Sequence, residues 1–249
     1  MTMRTVLIAL KLSLLLASGQ AEETPSHATD WASLEINLSS LETWGTKHYS
    51  YSVREPGETE MKTLGSSSIT TEITDNLIIL RDRHSIRYRG EDLRLEMIHT
   101  CRKDNFLSPT RIESQGTGSD EVHSFIATVN QGKATVRVKG GREGAFDIPE
   151  GTITNAAIFR LVTLVPGTPG RSYSFEYWLE SSELNLKKKY SLTAMQPESI
   201  PVENRQVECS KFELTGGGIR PAYYWVSKEG VLQRLMMDDR KIVELIDAP

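Results

Sequence analysis

Alternation of apolar and polar residues with a period of two, repeated along most of the chain, is the feature that narrows the fold. In "EDLRLEMIHTC" Leu93, Leu95 and Met97 oppose Arg94 and Glu96, and in "HYSYSV" Tyr49, Tyr51 and Val53 share one side. "LIILRDRHSIRYR", "VHSFIATV", "KATVRVKG", "SYSFEYWLE" and "KKYSLTA" continue the pattern, separated by Gly, Asn, Asp or Pro. Successive side chains on a strand point to opposite faces, so such segments are strands buried on one face. Several in succession, with no helices between them, make an antiparallel meander rather than βαβ units. The C-terminal stretch "GGGIRPAYYWVSKEGVLQRLMMDDRKIVEL", Gly216 to Leu245, reads as a glycine turn, an aromatic strand, a Lys-Glu-Gly turn and a last strand.

Two segments break the period. "DWASLEINLSSLETWG" places Trp31, Leu34, Leu38 and Leu41 three and four apart, which predicts an N-terminal helix capped by Thr29 or Asp30 and stopped at Gly45. "IPEGTITNAAIFRLVTLVP", from Ile148 to Pro166, is apolar round most of a helical circumference, with Arg160 and Thr163 as polar exceptions and Thr152 or Thr154 as cap. A helix of that kind must be buried on more than one side, and the apolar face of a curved sheet is the natural place for it. No linker long enough to divide the chain is visible. The expected fold is therefore mainly β: one domain over residues 22–249, a curved antiparallel half-barrel with an N-terminal helix and an apolar helix in its concave face.

The first 21 residues have the layout of a secretory signal peptide. Arg4 precedes "TVLIALKLSLLLA", and Gly19 and Ala21 stand at the −3 and −1 positions before Glu22. The apolar run Val6–Ala17 is short and carries Lys11, so it is not expected to span a membrane. Gln20 and Ala21 stand where a lipid-anchored protein needs cysteine. The mature protein is expected to be periplasmic or secreted, and peripheral to a membrane at most. Taking Arg4 and Lys11 off the 29 basic residues leaves 27 against 33 acids, a net −6. With "LKKK" at Leu186–Lys189 the only basic cluster, the composition argues against nucleic acid as a partner.

Cys101 and Cys209 permit one disulfide in an exported protein, and two buried thiols are the other reading. Cys101 keeps step with Leu93, Leu95, Met97 and His99, so its side chain is expected to face inward. No metal or cofactor motif occurs. His48, His84, His99 and His123 fall on separate strands without the spacing of a metal site. "GGGIRP" opens no helix and reads as a turn. Asp238 and Asp239 are adjacent, so on a strand they point apart, and Glu176 with Glu180 read as a solvated face.

Aromatic residues mark the candidate ligand surface. Tyr173, Phe175 and Tyr177 share one face of a strand, and Tyr223 and Trp225 share one face of another. Together with Ile158, Leu161 and Val165 of the apolar helix, they would line an apolar site with a few polar groups to orient a ligand. If the helix lifts, the same surface becomes a groove.

"WASLEINLSSLETWGTKHYSYSVRE" resembles the opening helix and first strand of the periplasmic half-barrels typified by the lipoprotein carriers LolA and LolB. "GGGIRPAYYWVSKEGVLQRLMMDDRKIVEL" resembles the closing hairpin of a related set of exported bacterial proteins of unknown function. The resemblance implies a concave apolar face, closed by helices and able to accept an acyl chain, with the aromatic hairpin as the last edge. The expected function is that of a non-enzymatic binder or carrier for a hydrophobic molecule, a lipid or an acylated partner. The alternative is an interaction module for envelope assembly, binding another envelope protein through an exposed edge at Val231–Leu245. A hydrolase would need acids or histidines to converge in one cleft, which the strand spacings do not provide.

Overall fold

The computed structural model describes residues 28–55, 57–88, 91–117, 124–141, 143–178, 187–216, 221–237 and 240–246. Residues 1–21, read from the sequence as a signal peptide, and His123, Glu180 and the Asp238-Asp239 pair lie outside these residues.

The period-two segments all form strands. The first half contributes β1 (Thr29–Asp30), β2 (Gly45–Val53), β3 (Lys62–Ile73), β4 (Leu77–Tyr88), β5 (Glu91–Arg102) and β6 (Pro109–Thr117). A short meander follows, β7 (Phe125–Asn130), β8 (Lys133–Val138) and β9 (Glu143–Asp147). After β10 (Ile153–Thr154) come β11 (Ser172–Trp178), β12 (Lys187–Ala194), β13 (Glu198–Val202) and β14 (Arg205–Gly216). The chain closes with β15 (Ala222–Ser227), β16 (Leu232–Met237) and β17 (Lys241–Ile246).

All of them belong to one large open, curved sheet. From β2 to β9 each strand pairs antiparallel with the next, and the same holds from β14 to β17. The two runs are joined where β17 pairs with β2, Leu245 opposite Tyr49 and Val243 opposite Tyr51. The last strand is therefore an interior strand of the sheet, not the edge expected from the sequence. The apolar phases of Tyr49, Tyr51, Val243 and Leu245 match only in this register, and a one-residue slip would turn either set outward. At the far end β1 and β10 both run parallel to β11, Thr29 opposite Tyr173 and Ile153 opposite Tyr177.

The sheet curls until its two ends meet through side chains. Phe146 on β9 stands edge-on to Trp178 on β11, with ring centroids 5.5 Å apart. Trp178 belongs to a buried cluster with Ile112, Phe125, Ala127 and Val136 from β6 to β8. The main core lies inside the curl and draws on β2 to β5, β11, β12 and β14 to β17. Gly65 helps the bend: a Cβ there would lie 2.8 Å from Ile86 Cα and collide with the Ser85 carbonyl, so β3 approaches β4 more closely than any side chain permits.

The N-terminal helix is not formed. Its residues make β1 and two single 3-10 turns, Trp31–Ser33 and Leu38–Leu41. The Asp30 carboxylate accepts from Ala32 N and the Asn37 amide oxygen from Ser39 N. Each side chain satisfies backbone donors locally and restarts the chain, which is how Asp and Asn compete with a continuous helix. Trp31 and Leu41 are buried as the spacing required; helical spacing is also met by two short turns.

The second irregular segment, Ile148–Pro166, holds one short helix, α1 (Asn155–Leu161), rather than the longer apolar helix expected there. The Thr154 hydroxyl accepts from Ala157 N at its start. At its end Thr163 N and Leu164 N bond three residues back, to Arg160 O and Leu161 O. Val162, Thr163 and Val165 are β-branched and poor at extending a helix. Among the described residues no helix is long and apolar enough to cross a membrane.

Candidate functional site

Whatever this protein binds must meet either the inside of the curl or its outside, and alternation assigns every strand residue to one or the other. Inside, Tyr173, Phe175 and Tyr177 all face the core and are packed rather than lining a vacant groove. Trp31 stands edge-on to Tyr173 and Phe175 at 6.0 and 5.2 Å, and Tyr177 packs on Tyr190 at 4.6 Å. The hydroxyls are used as well: Tyr177 donates to Asn155 Oδ1 at 2.6 Å and Tyr173 to the Pro166 carbonyl at 2.9 Å. Ile158 and Leu161 of α1, with Val165 beyond it, belong to the same core.

The inside also holds a charge that the sequence left as an exception. Arg160 is 0% exposed. Its Nη2 donates to Asp82 Oδ1 at 2.7 Å and to Thr70 O at 2.8 Å. Its Nη1 donates to Ala156 O at 2.9 Å and its Nε to Thr71 Oγ1 at 3.2 Å, with the guanidinium over the Trp44 ring at 5.4 Å. A buried guanidinium is tolerable only when paired and hydrogen-bonded in this way. The arrangement pins α1 to β3 and β4.

Beside α1 lies a cavity of about 40 Å³, bounded by Ser67, Asp82, His84, Asn155, Phe159 and Tyr224 with apolar neighbours. Ser67 Oγ and His84 Nδ1 are 2.8 Å apart. Sequence reasoning did not bring Asp82, His84 and Ser67 together, although all three fall on the inward phase of β3 or β4 and Ser67 pairs opposite His84. A Ser–His pair is the unit of nucleophilic catalysis. Here Ser67 is 4% exposed and the space beside it holds little more than one water, about 30 Å³ by its share of the liquid. The same two residues also border the larger groove over β2 to β6.

Tyr223 and Trp225 point the other way. Tyr224, opposite Phe212 and Leu235, is the inward aromatic of β15, and it meets Phe159 of α1 at 6.3 Å. Trp225 lies in a separate buried cluster with Ile200, Val202 and Cys209, against which Tyr223 packs. Lys211 Nζ lies over both rings, 5.3 Å from Tyr223 and 5.0 Å from Trp225, while Glu198 Oε2 accepts from Lys211 Nζ at 2.8 Å and Trp225 Nε1 at 3.2 Å. The five predicted aromatic residues thus divide between two faces of the sheet. "AYYWVS" is apolar at consecutive positions because β15 is covered on both faces, and such a strand carries no alternation to read.

Cys101 packs in the main core and Cys209 in the Trp225 cluster; both are buried thiols, and the bridge permitted by the sequence is not formed. Burial pushes the Cys209 thiol from 9.0 up to about 11, against the opposing effect of Arg234. At pH 8 iodoacetamide is therefore expected to leave both cysteines unmodified in the native protein and to alkylate both in denaturant. Rapid native labelling of Cys209 would show instead that β13 lifts from β14. The folded-state value lies above the unfolded one, so Cys209 leaves stability unchanged below pH 9 and lowers it as the pH rises from 9 towards 11.

The outside carries the larger concavities. A groove of about 480 Å³ lies over β2 to β6. Two cross-strand rows build it. His48, Ser68, Arg83, Glu96 and Gln115 lie opposite one another in turn, and beside them run Ser66, Ser85, Arg94 and Thr117. Glu96 Oε1 accepts from Arg81 Nη1 at 3.0 Å and Arg83 Nε at 2.9 Å. Its partial burial alone would raise the carboxyl, but these two hydrogen bonds outweigh burial and hold it below the usual range. A second groove, about 420 Å³, lies among Arg102, Thr110, Gln131 and Glu150. Among the described residues no three histidine, cysteine or acidic side chains gather as metal ligands.

No family model matches the sequence, and no curated protein matches it. Among solved structures the chain is similar to the crystal structure of a beta-barrel-like protein of domain of unknown function DUF1849 from Brucella abortus. The two are 10% identical, with a TM-score of 0.54 over 81% of this chain and 95% of that one. This likeness shows the fold, an antiparallel β-barrel-like sheet, and nothing of the chemistry.

Proposed function

We propose that this is an exported, non-enzymatic binding protein whose ligand sits on the outside of the curved sheet. The observation that carries the reading is a contrast in space: about 40 Å³ beside α1 within the curl, and about 480 Å³ in the groove over β2 to β6. Small-molecule sites occupy roughly 300–1,000 Å³, so between these two spaces the outer groove is the one ready-made. Export is part of the proposal and rests on the leader-like residues 1–21, as does a single mature domain over 22–249.

A second reading keeps the interior as the site, with the protein as a carrier for a lipid or acylated partner. It is favoured by the apolar walls of the inner cavity, among them Ile69, Leu95, Met97, Phe159, Leu235 and Met237, and by the resemblance in layout to the lipoprotein carriers. Entry would require α1 to leave. Breaking a buried pair such as Arg160–Asp82 costs about 3–5 kcal/mol. An acyl chain burying roughly 200 Å² returns about 5 kcal/mol, so displacement barely breaks even.

Native mass spectra of the mature protein, before and after organic extraction, separate the two. A clean apo mass, unchanged when lipid extract is added, is the expected result. A mass excess that disappears on extraction would replace this reading with the carrier.

A further inference from the structure

We propose that the groove over β2 to β6 is a binding site for an acidic sugar, a hydroxylated ring bearing one carboxylate or phosphate. The inference rests on the reading that ligands bind outside the sheet, and it names their chemistry.

The floor of the groove is unusual for a strand surface. Ser66, Ser68 and Ser85 stand side by side in the middle of two twelve-residue strands. Such positions favour β-branched or long side chains that pack on their neighbours, and serine gives up that packing. What serine provides is depth, with hydroxyls that both donate and accept. Among the described residues the hydroxyls of Ser66, Ser68 and Ser85 make no hydrogen bond to protein. Gln115 and Thr117 add an amide and a hydroxyl at the β6 side.

Around this floor the charge is positive. Arg81 and Arg83 share the one carboxylate of Glu96, and among the described residues Arg94 has no ion-pair partner. Three guanidinium groups therefore face one carboxylate, in a chain whose formal net charge is −4. The local excess runs against the charge of the whole molecule, so it is a property of the site rather than of the surface in general. A guanidinium presents a planar fork that matches a carboxylate or phosphate. The groove offers no exposed apolar side chain: Leu95, the one aliphatic residue lining it, is buried. An acyl chain or apolar peptide would meet there only the carbon stems of polar side chains. Hydroxyls below and a cation at the rim suit a sugar with one acid group.

Titration of the ¹⁵N-labelled mature protein tests the proposal, with glucuronate and glucose 6-phosphate as probes and glucose and inorganic phosphate as comparison arms. Amide shifts are expected at residues 66–68, 83–85 and 94–96, saturating at tenfold or more lower concentration for at least one acidic sugar than for glucose or phosphate. Arg94→Ala should weaken that binding at least tenfold and Arg94→Lys less. Arg87→Ala, which breaks an exposed pair with Asp92 outside the groove, should leave it unchanged. Equal saturation by phosphate alone, shifts confined to other strands, or an Arg94→Ala protein that binds normally would each overturn the proposal. The mass-spectrometric test is independent. Extractable lipid with intact acidic-sugar binding brings in the carrier reading of the interior and leaves this site standing; a clean apo mass with no shifts keeps the interior closed and overturns this site.

Discussion

Asp82→Ala is expected to lower stability by about 3–5 kcal/mol, because it leaves the Arg160 guanidinium buried without its counter-charge. For a domain of this size each kcal/mol moves Tm by roughly 2–4 °C, so the shift should be on the order of 10 °C in a thermal melt. The double variant Asp82→Leu with Arg160→Met should recover most of the loss, since an apolar pair of similar volume needs no desolvated charge. Added salt should change the wild-type melt little through this pair, which solvent ions do not reach. A shift of less than about 2 °C would mean that water already reaches the pair and that α1 is loosely held. That result would also strengthen the carrier reading, because the plug would then be easy to move.

Trp178→Ala should be comparably costly, about 3–5 kcal/mol for a buried aromatic, with a distinctive distribution. Trp178 is where the ends of the sheet meet, edge-on to Phe146 and packed among Ile112, Phe125 and Val136. No backbone pairing joins β9 to β11, so this seam depends on side chains. Hydrogen exchange should show protection falling further in β7, β8 and β9 than in β2 to β5. Trp178→Phe, which keeps an aromatic edge for Phe146, should lose less. A uniform loss of protection through the whole sheet would show that the ends are not a separable seam.

Much of the fold was legible because a strand with one buried face records that face in its own sequence. Leu93, Leu95 and Met97 face in, Arg94 and Glu96 face out, and no knowledge of neighbours was needed. The same local rule failed wherever both faces are covered. In β15 it led to Tyr223 and Trp225, which lie on the outer face, and passed over Tyr224, which meets α1. The N-terminal turns misled for a related reason: the positions that must be buried, Trp31 and Leu41, suit a helix or two capped turns equally, and Asp30 and Asn37 decide for the turns. The outer groove was invisible as a site, since its serines and arginines occupy three strands, with His48, Gln115 and Thr117 on two more, and become neighbours only through the registers of β2 to β6. Ser67 and His84 met in the same way.

The sequence by itself determined the β character, the positions of most strands and the inward phase of their residues, because each depends on a period of two along the backbone. Only the tertiary structure decided that β17 pairs with β2, that Arg160 finds Asp82 inside the curl, and that the spacious concavity lies outside. Those outcomes depend on which distant strands become neighbours, and a local period carries no record of its partner.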